Sequence, residues 1–289
     1  MSANAGPERA GAAFVDLHTH STASDGTLPP DQVVESAKRC GLAAIALTDH
    51  DTINGVPAAR AAGESLGVRV IAGTELSAFQ DEHEVHLLAL HVTQIESLEK
   101  RLSELRSLRY TRAERIVEKL NSLGVELTLD EVLKESNGGA VGRPHVARAL
   151  IARGAVHDFR DAFMRYLGTA GSAFVPKARL SIEDAIGISH EAGALAIWAH
   201  PGDGGRRERL EPLVAAGLDG IEVRHPSHSP EDVKRLQALT DFFGLVQSGG
   251  SDWHGASEGP RRLGIMNVPA EWLEKQDERV AAMSSASSK

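Results

Sequence analysis

Short runs that combine histidine with aspartate or glutamate recur along this chain, and most of them directly follow an apolar stretch typical of a buried strand. One strand end can supply only one or two metal ligands, so a site for several ions needs such residues at the ends of several strands. The pattern therefore predicts an α/β fold whose strand ends meet around a shared polar site. The runs lie at residues 16–20, 48–51, 73–75, 85–86, 199–201, 224–228 and 250–254.

The composition excludes several kinds of partner and site. The chain has 289 residues, with 40 acidic against 31 basic side chains and a net charge of −9, so we expect no extended nucleic-acid surface. Its single cysteine, Cys40, excludes a disulfide framework and a zinc–thiolate site, so any metal must use nitrogen and oxygen ligands. No apolar run approaches the ~18 residues of a membrane span. The expected compartment is the cytoplasm, and the sequence leaves the oligomeric state open.

Strand-like and helix-like segments alternate in two parts of the chain, 13–92 and 174–275, which predicts a mainly parallel sheet covered by helices. Between them, residues 93–173 give little strand signal and have apolar residues at helical spacing, so we expect a helical insertion there. The two ends, 1–12 and 276–289, are predicted to be disordered. The predicted strands are 14–18, 42–48, 68–72, 85–90, 194–199, 220–224 and 245–247.

Two pairs of candidate metal ligands are spaced two residues apart. On an extended strand His18 and His20 point the same way, so both can bind one ion; two surface histidines at a strand end are the alternative. Asp252 and His254 repeat this spacing after a Gly-Gly-Ser turn. Asp25 lies in a Ser-Asp-Gly turn, where aspartate is common for reasons of turn chemistry alone.

The ends of other buried strands supply the remaining candidates. His50, between two aspartates, and Glu75 each follow an apolar strand, where an ionised side chain needs a partner. His200 ends a strand directly before Pro201. His86 lies inside an apolar strand, where a core histidine satisfied by one hydrogen bond is the alternative. A carboxylate such as Glu75 at the mouth of a barrel is suited to bridge two ions.

Taken in order, these residues resemble the motifs of the PHP (polymerase and histidinol phosphatase) family of metal-dependent phosphoesterases. The resemblance runs from residue 16 to residue 254, most of the chain. It implies a distorted seven-stranded β/α barrel with a helical insertion, and two to three divalent ions at the carboxyl ends of the strands. The implied ligand sets are His18, His20, Glu75 and Asp252 for one ion, Glu75, His86 and His200 for a second, and Asp25, His50 and His254 for a third.

Asp25 bears on the identity of the metal, because some branches of the family have histidine at this position. A carboxylate there favours a harder ion, so manganese is predicted, with iron and zinc as the alternatives. The chain offers only nitrogen and oxygen donors to any of the three.

Three segments, 24–30, 142–145 and 222–228, resemble one branch of this family more than the others. That branch removes phosphate from nucleotides, including the 5′-phosphate of nucleoside 3′,5′-bisphosphates, and some members act on AMP or on short RNA with a 5′-phosphate. The resemblance therefore implies a metal-dependent phosphomonoesterase for a small nucleotide. Histidinol phosphatase is a poorer match, because it lacks this insertion pattern.

Several cationic side chains are candidates for contacts with the substrate. Arg143 precedes Pro144 at a predicted helix start, a good position for a second phosphate, with an ordinary surface arginine as the alternative. His145 in the same helix is a further candidate. Lys177, where the insertion returns to the barrel, is another, with a solvated lysine as the alternative. His228 is the last, with a plain loop residue as the alternative.

Two residues are candidates for proton transfer. His225 ends a strand beside the predicted metal site, and we expect it to contact the phosphate or to protonate the leaving oxygen. Asp252 is a predicted ligand that could also accept a proton from the attacking water. No covalent intermediate is needed, so neither Ser21 nor Ser251 is a predicted nucleophile.

Three other functions stay open at this point. A metal-dependent amidohydrolase also opens with His-x-His and ends with a metal-binding aspartate, but it commonly uses a carboxylated lysine where this chain has Glu75. A proofreading or regulatory module of the kind attached to DNA polymerases would need a partner protein. A metal-free binding protein is the third possibility, which a metal count would establish or exclude.

Overall fold

Eight strands form one continuous sheet in the computed structural model, which describes residues 13–136, 141–176 and 180–287. The strands are β1 (Phe14–Thr19), β2 (Ala44–Leu47), β3 (Arg69–Gln80), β4 (His83–Leu90), β5 (Leu195–Ala199), β6 (Gly220–Arg224), β7 (Val246–Gly249) and β8 (Val268–Pro269). Their order across the sheet is β7–β6–β5–β4–β3–β2–β1–β8, so strands that follow one another in sequence are neighbours from β1 to β7.

Helices cover this sheet. The ninth of them has a side-chain cap: Pro230 starts this helix, and the hydroxyl of the preceding Ser229 accepts from Asp232 N at 3.1 Å. No helix in the described ranges combines the length and apolarity needed to cross a membrane. The α-helices are α1 (Pro30–Arg39), α2 (Val56–Leu66), α3 (Ile95–Ser122), α4 (Leu129–Ser136), α5 (Arg143–Ala152), α6 (Phe159–Ala162), α7 (Ile182–Glu191), α8 (Arg207–Ala215), α9 (Pro230–Phe243) and α10 (Ala270–Ser287).

One strand runs against the direction that the sequence pattern predicts. β1, β2 and β3 are parallel, and so are β5, β6 and β7, but β4 is antiparallel to both of its neighbours. The reason is the connection: only Asp81 and Glu82 separate β3 from β4, too few residues for the crossover that a parallel pair needs. The hairpin also makes β3 longer than predicted, and it places His86 opposite Ser77.

The segment that follows β7 closes the sheet into a barrel. Trp253 forms a parallel bridge with Thr19 of β1, and its carbonyl accepts from His20 N at 2.9 Å. The chain can approach this closely because residue 250 is glycine; a Cβ there would lie 2.4 Å from the Cβ of His18. The predicted β/α barrel is therefore confirmed, with β8 as a short antiparallel strand at the outer edge of β1.

The described residues form two apolar cores that share one helix. The larger core fills the barrel and its covering helices, and the smaller one lies among residues 113–175. α3 has 28 residues, a length of about 42 Å, and enters both cores. Its buried residues Leu98 and Leu102 pack in the barrel core, whereas Ile116 and Leu120 pack in the smaller core. α3 therefore joins residues 113–175, the helical segment, to the barrel.

The carboxyl-terminal region differs from the prediction. Residues 276–287 were expected to belong to a disordered tail, but they continue α10. Trp272 and Leu273 are buried against the barrel, and the Gln276 side chain donates to Gln247 O at 2.8 Å. The amphipathic spacing of these few apolar residues is weak, which is why the pattern alone missed the helix. The predicted disordered stretch 1–12 lies outside the described residues.

Candidate active site

The carboxylate of Glu75, at the end of the parallel part of β3, is the centre of the polar site. It is 1% exposed, and five imidazoles surround it. Oε1 lies 2.6 Å from His86 Nδ1 and 3.1 Å from His200 Nε2, and Oε2 lies 3.2 Å from His18 Nε2, 3.3 Å from His20 Nε2 and 3.3 Å from His50 Nδ1. Four strands, β1, β2, β4 and β5, or the loops after them, thus bring five imidazoles to one carboxylate.

Asp252 completes the first group of candidate ligands. Its Oδ1 lies 3.2 Å from His20 Nε2 and 3.5 Å from His18 Nε2. One donor atom from each of these residues and from Glu75 lies within 4.8 Å of the others. This group has the same four members as the set that the sequence implied for one ion.

Asp25 assembles a second group on the other side of His20. Its Oδ1 lies 3.2 Å from His254 Nε2 and 3.9 Å from His20 Nδ1, and its Oδ2 lies 4.0 Å from His50 Nε2. The group contains the three residues implied for the third ion, with His20 added.

The remaining group differs in one member from the sequence-based set. Glu75, His86 and His50 have donor atoms within 4.8 Å of one another, whereas the sequence implied His200 in place of His50. His200 nevertheless faces the same Glu75 oxygen as His86. All nine residues predicted as metal ligands are therefore brought together at one end of the barrel.

The donor chemistry of these groups fits divalent ions. Both ring nitrogens of His20 and Nδ1 of His50 are buried without a hydrogen-bond partner among the described residues, which is costly unless another ligand occupies them. The groups contain only imidazole and carboxylate donors, and the single cysteine, Cys40, lies outside them. Such a donor set suits manganese, iron or zinc.

Asp252 is held in the ionised state that a metal ligand needs. Burial alone would raise its pKa, but the charge of His18 and the ring of His20, whose Nε2 lies 3.2 Å from Oδ1, lower the pKa well below its ordinary value. Its backbone is also unusual, with φ of +51°, and His200 has φ of +31°. A positive φ costs a non-glycine residue about 1–3 kcal/mol, and such residues are concentrated at functional sites.

A carboxylate behind the ligands was missed by the sequence analysis. Glu222, inside β6, is fully buried; its Oε1 lies 3.0 Å from His18 Nδ1, and its Oε2 accepts from His200 N at 2.8 Å. It thereby fixes the ring of one candidate ligand and the backbone of another. The available signal was a glutamate in the buried apolar strand Gly-Ile-Glu-Val-Arg, which needs a partner there.

His225 lies beside the ligand groups with a defined tautomer. It is 2% exposed, and its Nδ1 accepts from Ser227 N at 3.2 Å, so the ring proton belongs on Nε2. Nε2 lies 3.5 Å from Asp252 Oδ2 and has no hydrogen-bond partner among the described residues. His225 thus presents an N–H donor to the site.

A cavity of about 160 Å³ opens between the barrel and the helical segment. His50, His86 and Asp25 line one side of it, and three guanidinium groups line the other. Those groups belong to Arg109, Arg112 and Arg143, and the remaining walls include Ala113, Ile116, Val141 and Pro144. The cavity thus joins the candidate metal ligands to a strongly cationic wall.

Two of the three arginines were not predicted. Arg109 and Arg112 are three residues apart on α3 and therefore share one face of that helix. Arg109 is paired with Asp51, and its Nη2 donates to Ser77 Oγ at 3.1 Å. Burial, together with the charges of Arg143 and Arg109, lowers the pKa of Arg112 to about 10. A wall on which like charges are crowded in this way favours a bound anion.

Two predicted substrate contacts have rings that face backbone groups. His145 is 1% exposed; its Nδ1 accepts from Gly142 N at 2.9 Å and its Nε2 lies 3.2 Å from Ser24 O. His228 Nδ1 lies 2.9 Å from Val223 O, and Nε2 accepts from Gly202 N at 3.1 Å. These partners indicate a structural role for both rings, and their contact with a phosphate stays a prediction.

The other two predicted contacts have different outcomes. Arg143 lines the cavity, with Nη2 4.0 Å from Glu84 Oε2. Lys177 lies outside the described residues.

Comparisons with known proteins place these features in a family context. The model of the PHP domain family matches residues 16–175. A 3′,5′-nucleoside bisphosphate phosphatase of Chromobacterium violaceum is 37% identical over 260 residues, covering 87% of this chain and 91% of the relative. The 5′-3′ exoribonuclease Rnm of Salmonella typhimurium is 34% identical over 251 residues, 84% of this chain and 86% of the relative. A solved chain of Bifidobacterium adolescentis, described as a metal-dependent phosphoesterase, is 34% identical and superposes with a TM-score of 0.84 over 93% of this chain and 97% of its own.

Replacing Glu222 with glutamine should weaken metal binding without unfolding the barrel. Glutamine keeps the size of the side chain but loses the charge that raises the basicity of His18, so manganese affinity should fall about ten- to a hundredfold. Calorimetric titration with Mn²⁺ measures this change. Glu126→Gln, at an exposed position, is the control and should bind as the wild type does. Unchanged affinity in Glu222→Gln would contradict the positioning role.

The pH dependence of stability should reveal the buried His145. Burial, and to a smaller extent the charge of Arg148, lowers its pKa from 6.5 to about 4. The unfolded chain therefore binds a proton that the folded chain refuses, and stability is lost as the pH falls from 6.5 toward 4. Protonated Nδ1 could no longer accept from Gly142 N.

Urea unfolding of wild type and His145→Asn at pH 7 and pH 5 measures this effect. The stability advantage of the wild type should shrink by up to about 2 kcal/mol at pH 5. His157→Asn, at an exposed position, should show no such change. If the unfolding free energy of the wild type exceeded that of His145→Asn by the same amount at both pH values, the lowered pKa of His145 would be contradicted.

Proposed function

The chain belongs to the PHP domain family, and on this basis we propose that it is a metal-dependent phosphomonoesterase that removes the 5′-phosphate of a small nucleotide. The preferred substrate in this proposal is a nucleoside 3′,5′-bisphosphate. One observation carries it: candidate metal ligands and the guanidinium groups of Arg112 and Arg143 line the same cavity. The centre and the cationic wall can thereby hold two phosphates of one small molecule.

The proposed cofactor is two to three divalent ions, with manganese preferred and iron or zinc as alternatives. The nine ligands proposed for them are His18, His20, Asp25, His50, Glu75, His86, His200, Asp252 and His254. Divalent ions at such a centre lower the pKa of water and neutralise the charge of phosphate oxygens, which are the main requirements of phosphoryl transfer. Asp25 adds a carboxylate, which favours a harder ion over zinc.

His225 is the proposed donor to the reacting phosphate or to the leaving ribose oxygen. Its Nε2 carries a proton, faces the site beside Asp252 and has no partner among the described residues. Asp252 was also a candidate proton acceptor. Its pKa, held well below the ordinary value against the effect of burial by His18 and His20, favours a ligand over a proton acceptor.

The second phosphate is assigned to Arg112 and Arg143. Arg109 is a weaker candidate because Asp51 already neutralises its charge. Arg112 donates Nε to Val175 O at 2.9 Å. The hydrogen bonds between described residues do not engage its two terminal nitrogens, which can therefore donate to a phosphate. Guanidinium groups bind phosphate with two parallel hydrogen bonds, so two of them suit a terminal phosphomonoester.

Short RNA with a 5′-phosphate is the second candidate substrate. The likeness to an exoribonuclease supports it. A screen with Mn²⁺ that follows phosphate and nucleotide release distinguishes these substrates. It should contain a nucleoside 3′,5′-bisphosphate, AMP, a 5′-phosphorylated trinucleotide, histidinol phosphate and an amide substrate. Activity on the amide alone would overturn the proposal.

Arg143→Ala should separate bisphosphates from monophosphates. If Arg143 holds the second phosphate, the KM for a 3′,5′-bisphosphate should rise about ten- to a hundredfold, which corresponds to the loss of roughly 1.5–3 kcal/mol. The KM for AMP should change little. Steady-state phosphate release from both substrates measures this, and Arg115→Ala on the exposed face of α3 is the control. An equal rise for both substrates would place Arg143 at the scissile phosphate.

A further inference from the structure

Arg261 contacts Asp252, a candidate metal ligand that does not line the cavity next to the arginines of α3 and α5. The two oxygens of Asp252 have different surroundings. Oδ1 faces His20 at 3.2 Å and His18 at 3.5 Å, inside the ligand group. Oδ2 lies 2.6 Å from Arg261 Nη1 and 3.5 Å from His225 Nε2. One carboxylate thus joins the ligand group to a guanidinium and to the proposed proton donor.

Arg261 is the only lysine or arginine whose side chain pairs with the carboxylate of a proposed metal ligand within the described ranges. The other ion-pair partners of Glu75, Asp25 and Asp252 among the described residues are histidines. Its side chain is 49% exposed, compared with 9% for Asp252. A pair this open to solvent contributes little to stability, so holding the fold together is a poor explanation for it.

The contact leaves most of the guanidinium free. Arginine has five N–H donors, and the hydrogen bonds and ion pairs between described residues engage only Nη1. The segment that carries Arg261 is attached to other parts of the barrel at both of its ends. His254 O accepts from Thr27 Oγ1 at 2.9 Å, and Gly264 N donates to Asp16 Oδ2 at 2.8 Å. The donors of Arg261 therefore face solvent next to the proposed reacting centre.

We propose that Arg261 binds the oxygens of the phosphate that undergoes reaction. A phosphate held at the ligand group next to Asp252 lies beside the same carboxylate that Arg261 touches. The guanidinium can share one N–H with Asp252 and give the others to phosphoryl oxygens, where charge must be neutralised in phosphoryl transfer. This inference rests on the proposed function for the identity of the ligand, inorganic phosphate or a phosphate ester.

The roles of the arginines are distinct in this arrangement. Arg143 and Arg112 would bind the second phosphate and distinguish bisphosphates from monophosphates. Arg261 would bind the phosphate common to all substrates, so its loss should affect every phosphate ligand equally. Arg262, its exposed neighbour, lines a different pocket, behind the segment and next to Trp253, and provides a matched control.

Binding of inorganic phosphate to the Mn²⁺-loaded protein tests the proposal by calorimetry. Arg261→Ala should weaken phosphate binding about ten- to a hundredfold, and Arg261→Lys, which keeps the charge but not the paired donors, should lie in between. Arg262→Ala should bind as the wild type does. Mn²⁺ content should be equal in all four proteins.

Two results would overturn the proposal. One is phosphate affinity in Arg261→Ala equal to that of the wild type, including the case in which the wild type binds no phosphate. The other is a change of Mn²⁺ affinity that accounts for the whole loss, which would make Arg261 a positioning residue for Asp252. Failure of the proposed function is separate, because it would appear as phosphate binding without hydrolysis of any nucleotide in the substrate screen.

Discussion

The buried carboxylate of Glu75 is the constraint on which the rest of the site depends. Burial of an ionised carboxylate that is 1% exposed would cost several kcal/mol without compensation. Five imidazoles, together with the ions that their nitrogens can bind, compensate its charge. The imidazoles come from β1, which supplies two, and from β2, β4 and β5 or the loops after them. Closure of the barrel by the segment after β7 is therefore a condition for the site, because it brings Asp252 to the same carboxylate.

A second layer of polar residues keeps these ligands in place. Glu222 fixes His18 and the backbone of His200, while Asp49 accepts from the hydroxyls of Ser21 and Ser24 at 2.7 Å and so holds the loop of Asp25. The helical segment contributes through the same loop, since the side chain of His145 contacts Ser24 O. α3 supplies Arg109 and Arg112 to the cavity wall, and α5 supplies Arg143.

The sequence predicted which imidazoles and carboxylates converge at the candidate site far better than it predicted their surroundings. The ligands are polar residues at the ends of apolar strands, a pattern that is visible in one dimension, and their order resembles a known family. The direction of β4 depends on a two-residue turn, and the helix that contains Gln276 depends on tertiary contacts, so both were missed. His145 and His228 were assigned to the substrate because a histidine in a motif does not reveal which backbone groups its ring will meet. Arg112 was missed because its partners are remote in sequence.

The central claim is that three groups of imidazoles and carboxylates around Glu75 form one multinuclear metal centre. Anomalous diffraction from a crystal grown with Mn²⁺ tests this claim most directly, because it gives the number and the positions of the ions in one measurement. The account predicts two or three peaks, each between the members of one ligand group, with Glu75 adjacent to at least two of them. A single peak away from Glu75, or no peak in a protein prepared without chelators, would contradict it.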